Sequence, residues 1–217
     1  MKKNLYSLML SEDVVREVDA LAHQLGTNRS ALVNQILADH VSVPTQERRI
    51  NDIFQAIEEL VAPSRELVPF FAPNSPTMSL KSSLAYKYRP TVKYEVDLNT
   101  GKDNTLGELS VIFRTQSAGL ISAMSEFFRL WVRIEDRCLS PLLGEAITCS
   151  LYDGRFIRPL AMPRTNRSCT AGDIAGAISS YIQLFDRLLK GHLDGSLSAR
   201  DVELAYRGDL RNRTLLI

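Results

Sequence analysis

The first forty residues contain one strand-like stretch and two short amphipathic stretches, which cannot complete a folded unit by themselves. Side chains alternate over residues 5–10 in the manner of a β-strand with two distinct faces. One face consists of Tyr6, Leu8 and Leu10, and the other of Leu5, Ser7 and Met9. A single strand leaves its backbone donors and acceptors without partners. The sequence therefore predicts a second copy of the chain whose strand pairs antiparallel with this one.

Two helices are predicted to follow this strand. Ser11 is a suitable N-cap for the first helix, Gly26 a suitable end, and Asn28 a suitable N-cap for the second. Apolar residues recur at helical spacing in both: Val14, Val18, Leu21, Ala22 and Leu25, then Leu32, Ile36 and Leu37. A unit of this size buries too little apolar surface to be stable alone. We therefore expect four helices, two from each copy, to close over one face of a two-stranded ribbon.

This order of elements resembles the ribbon-helix-helix domain of the Arc, MetJ and CopG kind. The resemblance covers residues 3–42 and is carried by "LYSLML", "SEDVV", "LAHQLG" and "TNRSALVNQIL". It implies a homodimer that places its ribbon in the major groove of double-stranded DNA. The implied base contacts are Lys3, Leu5, Ser7 and Met9, and the implied phosphate contacts are Asn28, Arg29 and Ser30. Helix N-termini favour anions in general, which agrees with the second group.

The unit also departs from the family pattern. Leu5 and Met9 are apolar, whereas the outward face of the ribbon is usually polar or basic. Apolar groups contact thymine methyls but cannot form the bidentate hydrogen bonds that distinguish guanine from adenine. The alternative is a unit that only dimerises.

The remainder of the chain predicts an α+β fold. We divide the sequence into the front unit at residues 1–43, a linker with one amphipathic helix at 44–76, and an α+β domain at 77–217. The linker helix either docks on this domain or pairs with its copy, and four prolines make residues 62–76 irregular. Strands are predicted in "MSLKSSLAYKY", "VKYEVDL" and "ELSVIFR", followed by a hairpin around Asp153 and Gly154. Long helices are predicted after Ser117 and Thr170, and a last one after Ser198.

No catalytic, cofactor or metal site is predicted. Nucleotide-binding, metalloprotease and serine-hydrolase motifs are absent from the sequence, and the three histidines are scattered. Cys149 is predicted to be a core thiol on a strand, while Glu135 and Asp136 are predicted to lie in solvent. Four arginines form a secondary basic patch that holds phosphate or an acidic partner, or else a solvated loop: Arg155, Arg158, Arg164 and Arg167.

The bulk composition of the 217 residues points to a cytoplasmic protein. The net charge is +1, and no apolar run approaches the roughly 20 residues of a membrane span.

We expect a dimeric DNA-binding regulator, such as a repressor, or a tetramer of two such dimers. The larger domain would sense a small ligand or bind a partner protein. The alternatives are an accessory protein of plasmid or mobile-element DNA processing and an antitoxin-like binder of a partner protein.

Overall fold

The computed structural model describes residues 5–41, 43, 45–72, 75–86, 88–98, 105–144, 146–161, 169–213 and 215–217. Within these residues the fold is α+β, as predicted, with seven α-helices and one antiparallel sheet. The helices are α1 Glu12–Gln24, α2 Arg29–His40, α3 Gln46–Val61, α4 Ala118–Cys138, α5 Ser140–Leu143, α6 Ala171–Leu193 and α7 Ala199–Asn212. The strands are β1 Val68–Phe71, β2 Thr77–Ser83, β3 Thr91–Asp97, β4 Thr105–Phe113, β5 Ser150–Tyr152 and β6 Arg155–Ala161.

The helices begin where short polar side chains cap them. The hydroxyl or amide oxygen of each predicted cap accepts a hydrogen bond from a backbone amide of the first turn, as seen for Ser11, Asn28, Ser117, Thr170 and Ser198. Two of these starts are reciprocal capping boxes, in which Asp173 and Asp201 accept from the cap residue in return. The predicted helix starts are therefore confirmed.

The six strands form one sheet in the order β1-β2-β3-β4-β6-β5. The sequence suggested two separate groups of strands, but the hairpin of β5 and β6 returns to the free edge of β4. Residues 84–90 also differ from the prediction, since β2 ends at Ser83 and leaves Tyr86 and Tyr88 in the connection to β3. Their alternation continues that of β2, but the chain has already turned.

Strand β1 was not predicted, because the four prolines of residues 62–76 indicated an irregular segment. The structure places β1 at the edge of the sheet, where it pairs with β2 alone. Proline has no backbone N–H to donate. It is tolerated on an edge strand because half of the backbone groups of such a strand face away from the neighbouring strand. The linker predicted at 44–76 thus contributes a strand to the larger domain.

The hydrophobic core lies between one face of the sheet and helices α3, α4, α6 and α7. Tyr94, Phe113 and Phe156 of the sheet pack on Phe128 of α4 and Phe185 of α6. Helix α3 buries Ile53, Phe54, Ile57 and Val61 completely in the same core. This confirms docking of α3 on the larger domain and leaves that face unavailable for pairing with a copy. Helix α3 therefore shares the hydrophobic core of residues 77–217.

Candidate functional site

The front unit stands apart from the core. No described residue before Ile50 belongs to the core cluster. Within α1 and α2 only Ala22 and Leu32 are buried among the described side chains. Residues 5–10 are neither helix nor strand in the single chain, and Leu5 and Met9 are 99% and 101% exposed. The predicted strand is therefore not formed within one chain, because no backbone hydrogen bond joins residues 5–10 to another described segment.

The apolar positions that define the two predicted helices remain largely uncovered. The large apolar side chains of residues 5–41 that are more than a third exposed are Leu5, Tyr6, Leu8, Met9, Leu10, Val14, Leu21, Leu25, Ile36, Leu37 and Val41. This concentration in 37 consecutive described residues contrasts with the larger domain, whose helical stripes are buried. A contiguous exposed apolar surface on a folded unit marks an interaction site.

The start of α2 carries the three predicted phosphate contacts in consecutive positions. Asn28 uses its side-chain oxygen to accept from the Ala31 amide at 3.0 Å. The Arg29 Nε donates to Oδ1 of Asp19 at 2.6 Å, and its Nη2 donates to the other carboxylate oxygen. The hydrogen bond from Arg29 holds the pKa of Asp19 below its ordinary value. Arg29 is thus an exposed guanidinium with an internal partner on α1. Lys3 lies outside the described residues.

The structure describes two of the four arginines of the secondary basic patch, and it separates them. Arg155 and Arg158 are three positions apart on β6, so their side chains emerge on opposite faces of the sheet. Arg155 donates to the Ser110 hydroxyl at 2.9 Å, whereas Arg158 is completely buried in the core. Arg158 is therefore unavailable to phosphate or to a partner. Arg164 and Arg167 lie outside the described residues.

Arg158 forms a buried ion pair with Glu135 of α4. Its Nε donates to the two carboxylate oxygens at 3.0 and 3.1 Å, and its Nη2 donates to the Ile217 carbonyl at 2.6 Å. The prediction that Glu135 lies in solvent is wrong, since this side chain is 1% exposed; its neighbour Asp136 is exposed as expected. Burial alone disfavours the charge of Arg158, but the Glu135 carboxylate more than offsets this and the pKa of Arg158 is raised.

Aromatic side chains complete the hydrogen bonding of this carboxylate. The Tyr181 hydroxyl donates to Glu135 Oε1 at 2.9 Å and accepts from the Trp131 indole at 2.7 Å. The Tyr206 hydroxyl donates to the same oxygen at 3.4 Å. Arg158 also lies over the Tyr181 ring, 4.4 Å from its centroid. Each charge has a partner of opposite sign within the core, and the network joins α4, α6, α7 and β6.

A second buried carboxylate belongs to Asp186 of α6. It accepts from the Tyr94 hydroxyl at 2.9 Å and pairs with Lys190 at 2.7 Å, one turn further along the helix. Lys190 also reaches Glu66 at 2.9 Å and so joins α6 to the segment before β1. Both buried acids were missed by the sequence reasoning. The available signal was a charged residue within an apolar helical stripe.

The Cys149 thiol lies against this core, half-buried, in the segment before β5 and not on a strand as predicted. Burial, reinforced by the Glu135 carboxylate, raises its pKa to about 12. Thiolate is the reactive form of cysteine, so this residue is a poor nucleophile at neutral pH.

We expect Cys149 to react with iodoacetamide about three orders of magnitude more slowly than an ordinary thiol of pKa about 8.5, since its thiolate is that much scarcer at neutral pH. Rates resolved by peptide mass spectrometry between pH 7 and 9 test this, and the variant Cys149→Ser identifies the peptide. Modification at the rate of a free thiol would contradict the assigned environment.

No group of three or more His, Cys, Asp or Glu side chains that could hold a metal ion occurs among the described residues. Within the same part of the chain, no helix has both the length and the apolar character needed to cross a membrane. No protein-family model matches the sequence, and no curated protein or solved structure shows significant similarity to it.

Proposed function

We propose that the protein is a dimeric DNA-binding protein that reads the major groove with a two-stranded ribbon and acts as a transcriptional regulator. The observation that carries this proposal is the uncovered apolar surface of residues 5–41, which stands beside a larger domain whose own core is complete. Most of the stability of a short helix comes from packing of its apolar face. A second copy of α1 and α2 supplies that packing.

The same second copy provides the missing partner for residues 5–10. Two strands that pair antiparallel about a two-fold axis satisfy each other's backbone groups. Leu5, Ser7 and Met9 then share the face opposite to Tyr6, Leu8 and Leu10. The second set has apolar side chains throughout and suits the dimer core, so the first set faces the groove.

The phosphate contacts are proposed for the first turn of α2. Within the described residues, the amides of Arg29 and Ser30 have no intrahelical acceptor, because the helical ladder begins with the Leu32 amide and Asn28 takes the Ala31 amide. Arg29 is exposed, so its bond to Asp19 is weakened by water and exchanges at little cost for a phosphate. Asp19 is then a competitor for the same guanidinium.

Because of this competition, the proposal predicts opposite changes in DNA affinity for two variants. Arg29→Ala should weaken binding to all duplexes equally and reduce the salt slope by about one, whereas Asp19→Asn should tighten binding. The measurement is fluorescence anisotropy across a salt series, with a duplex from upstream of the gene and a scrambled duplex. Arg16→Ala is the matched control, because Arg16 forms a similar exposed pair with Asp13 on α1.

Base contacts have a different signature. Changes at Ser7 or Met9 should alter the preference between duplexes more than the overall affinity, since only groove contacts carry sequence information. Because Leu5 and Met9 are apolar, we expect discrimination near the low end of about 1–3 kcal/mol per position. If the wild-type protein binds neither duplex at low salt, the proposal of DNA binding is wrong and the front unit serves only for dimerisation. A cytoplasmic location is part of the same proposal, because a DNA-binding regulator must be in the compartment that holds the DNA it binds.

A further inference from the structure

A cavity opens in the larger domain, far along the sequence from the proposed DNA-binding unit. It is an open cleft of about 1180 Å³ between the connection of β2 to β3 and the connection of β4 to α4. Residues 83–86 and 88–90 form one wall and residues 114–117 the other. Clefts of this size accommodate small ligands or several units of a polymer.

The cleft is electropositive by composition. Arg89 lies on one wall and Arg114 on the other, both exposed, and none of the described lining residues is Asp or Glu. Among the described lining residues, the formal charges are those of these two guanidinium groups. Two arginines on opposite walls are suited to a ligand with phosphate groups, since a guanidinium fork matches phosphate geometry.

Aromatic rings stand beside these charges. Tyr86 is 41% exposed and Tyr88 is 89% exposed, which is unusual for large rings in a protein that buries most of its others. Tyr88 and Arg89 have left-handed backbone conformations, with φ of 66° and 43°. Residues other than glycine adopt this region at a conformational cost, and such sites occur preferentially where ligands bind.

The loop that presents the rings is fixed by its own backbone hydrogen bonds. The Arg89 amide donates to the Tyr86 carbonyl at 2.8 Å, and the Leu84 amide donates to the Pro90 carbonyl at 2.9 Å. Tyr86, Tyr88 and Arg89 are therefore held on one tight turn. Rings on a preorganised turn next to arginines form a stacking platform with adjacent phosphate ligands.

We infer that this cleft binds nucleotide units, with a base stacked on Tyr86 or Tyr88 and a phosphate between Arg89 and Arg114. The shared chemistry is an aromatic base joined to an anion, which both a free nucleotide and a single-stranded oligonucleotide provide. The inference is independent of the front unit. It predicts a second nucleic-acid activity that does not require the ribbon.

Fluorescence anisotropy of the full chain with a labelled 15-nucleotide oligothymidylate tests this, with thymidine monophosphate and inorganic phosphate as competitors. Tyr88→Leu should weaken oligonucleotide binding about tenfold, and Arg114→Gln should also lower the salt slope by about 0.7. The matched control Arg133→Gln removes an exposed charge from the same helix that follows the cleft and should have no effect.

The competitors separate the two sources of the ligand. Displacement by thymidine monophosphate at concentrations near its own affinity supports a mononucleotide site, whereas displacement only by unlabelled oligonucleotide supports a single-strand site. Equal losses in Arg114→Gln and Arg133→Gln would overturn the inference, because they would indicate nonspecific attraction. Equal competition by inorganic phosphate, with no effect of Tyr86→Leu or Tyr88→Leu, would overturn it as well.

Discussion

Replacing Glu135 by alanine should lower the free energy of unfolding by about 3–5 kcal/mol, because it leaves the Arg158 guanidinium buried without its counter-charge. Arg158 is completely buried, so its guanidinium loses the carboxylate at a position where water does not reach it. The Tyr181 hydroxyl loses its acceptor in the same step. Urea unfolding followed by the fluorescence of Trp131, the single tryptophan of the chain, measures the loss.

The reason for this loss is tested by a double replacement. Glu135→Leu combined with Arg158→Met removes both charges, and this variant should be more stable than either single variant. Arg207→Ala is the matched control, since it breaks an exposed ion pair with Glu203 and should leave the midpoint nearly unchanged. If Glu135→Ala unfolds at the same urea concentration as this control, the pair does not hold the core together.

Proline in the proposed ribbon should convert the protein from dimer to monomer. In an antiparallel pair, consecutive residues alternate between hydrogen-bonded and non-hydrogen-bonded positions. Ser7→Pro and Leu8→Pro together therefore include at least one variant that deletes ribbon hydrogen bonds. Light scattering coupled to size exclusion should show the molar mass halved at micromolar concentration.

The matched control for this experiment is Ser7→Thr, which keeps the backbone amide and favours a strand, and which should remain dimeric. Circular dichroism should show that the larger domain keeps its helices in the proline variants, since no residue of 5–10 contributes to its core. Dimers that persist in both proline variants would place the interface elsewhere. A monomeric wild-type protein would remove the basis of the proposed ribbon.

The helices could be predicted because their signals are local. Ser11, Asn28, Thr170 and Ser198 each cap a helix through contacts within one turn. In the helices of the larger domain, the apolar side chains that recur after the cap are buried. The same reasoning located the hairpin at Gly154, whose φ of 69° is readily adopted by glycine. Within the front unit, the helices are formed, but most of their large apolar side chains are exposed in the single chain.

The strands were harder because an edge can break the usual rules. Pro69 argues against a central strand, but nothing local reveals that β1 lies at the edge of the sheet. Conversely, Tyr86 and Tyr88 continue the alternation of β2 after the chain has turned. Period-two alternation predicts a strand but does not show where its pairing ends.

The pairing of Glu135 with Arg158 could not be predicted because the two residues are distant in sequence. They come from α4 and β6, and the sequence gives no sign that these elements meet. Helical spacing does place Glu135 on the apolar stripe, four residues after Trp131 and seven after Phe128, but a charged residue at a helix end is usually solvated. The spacing of the two arginines in β6 was a usable signal. A separation of three residues on a strand places Arg155 and Arg158 on opposite faces of the sheet.

The position of Glu135 also determines how the protein opens. Hydrogen bonds or ring contacts around its ion pair involve α4, α6, α7, β6 and the segment at Ile217. Separation of α4 from β6 leaves a lone charge in an apolar core, and opening of α6 or α7 removes a tyrosine hydroxyl that hydrogen-bonds to Glu135. These elements should therefore separate from one another only in the global unfolding event. In native-state hydrogen exchange their slowest amides should share one opening free energy. The amides of α1, α2 and the edge strand β1 should exchange by separate, less costly openings.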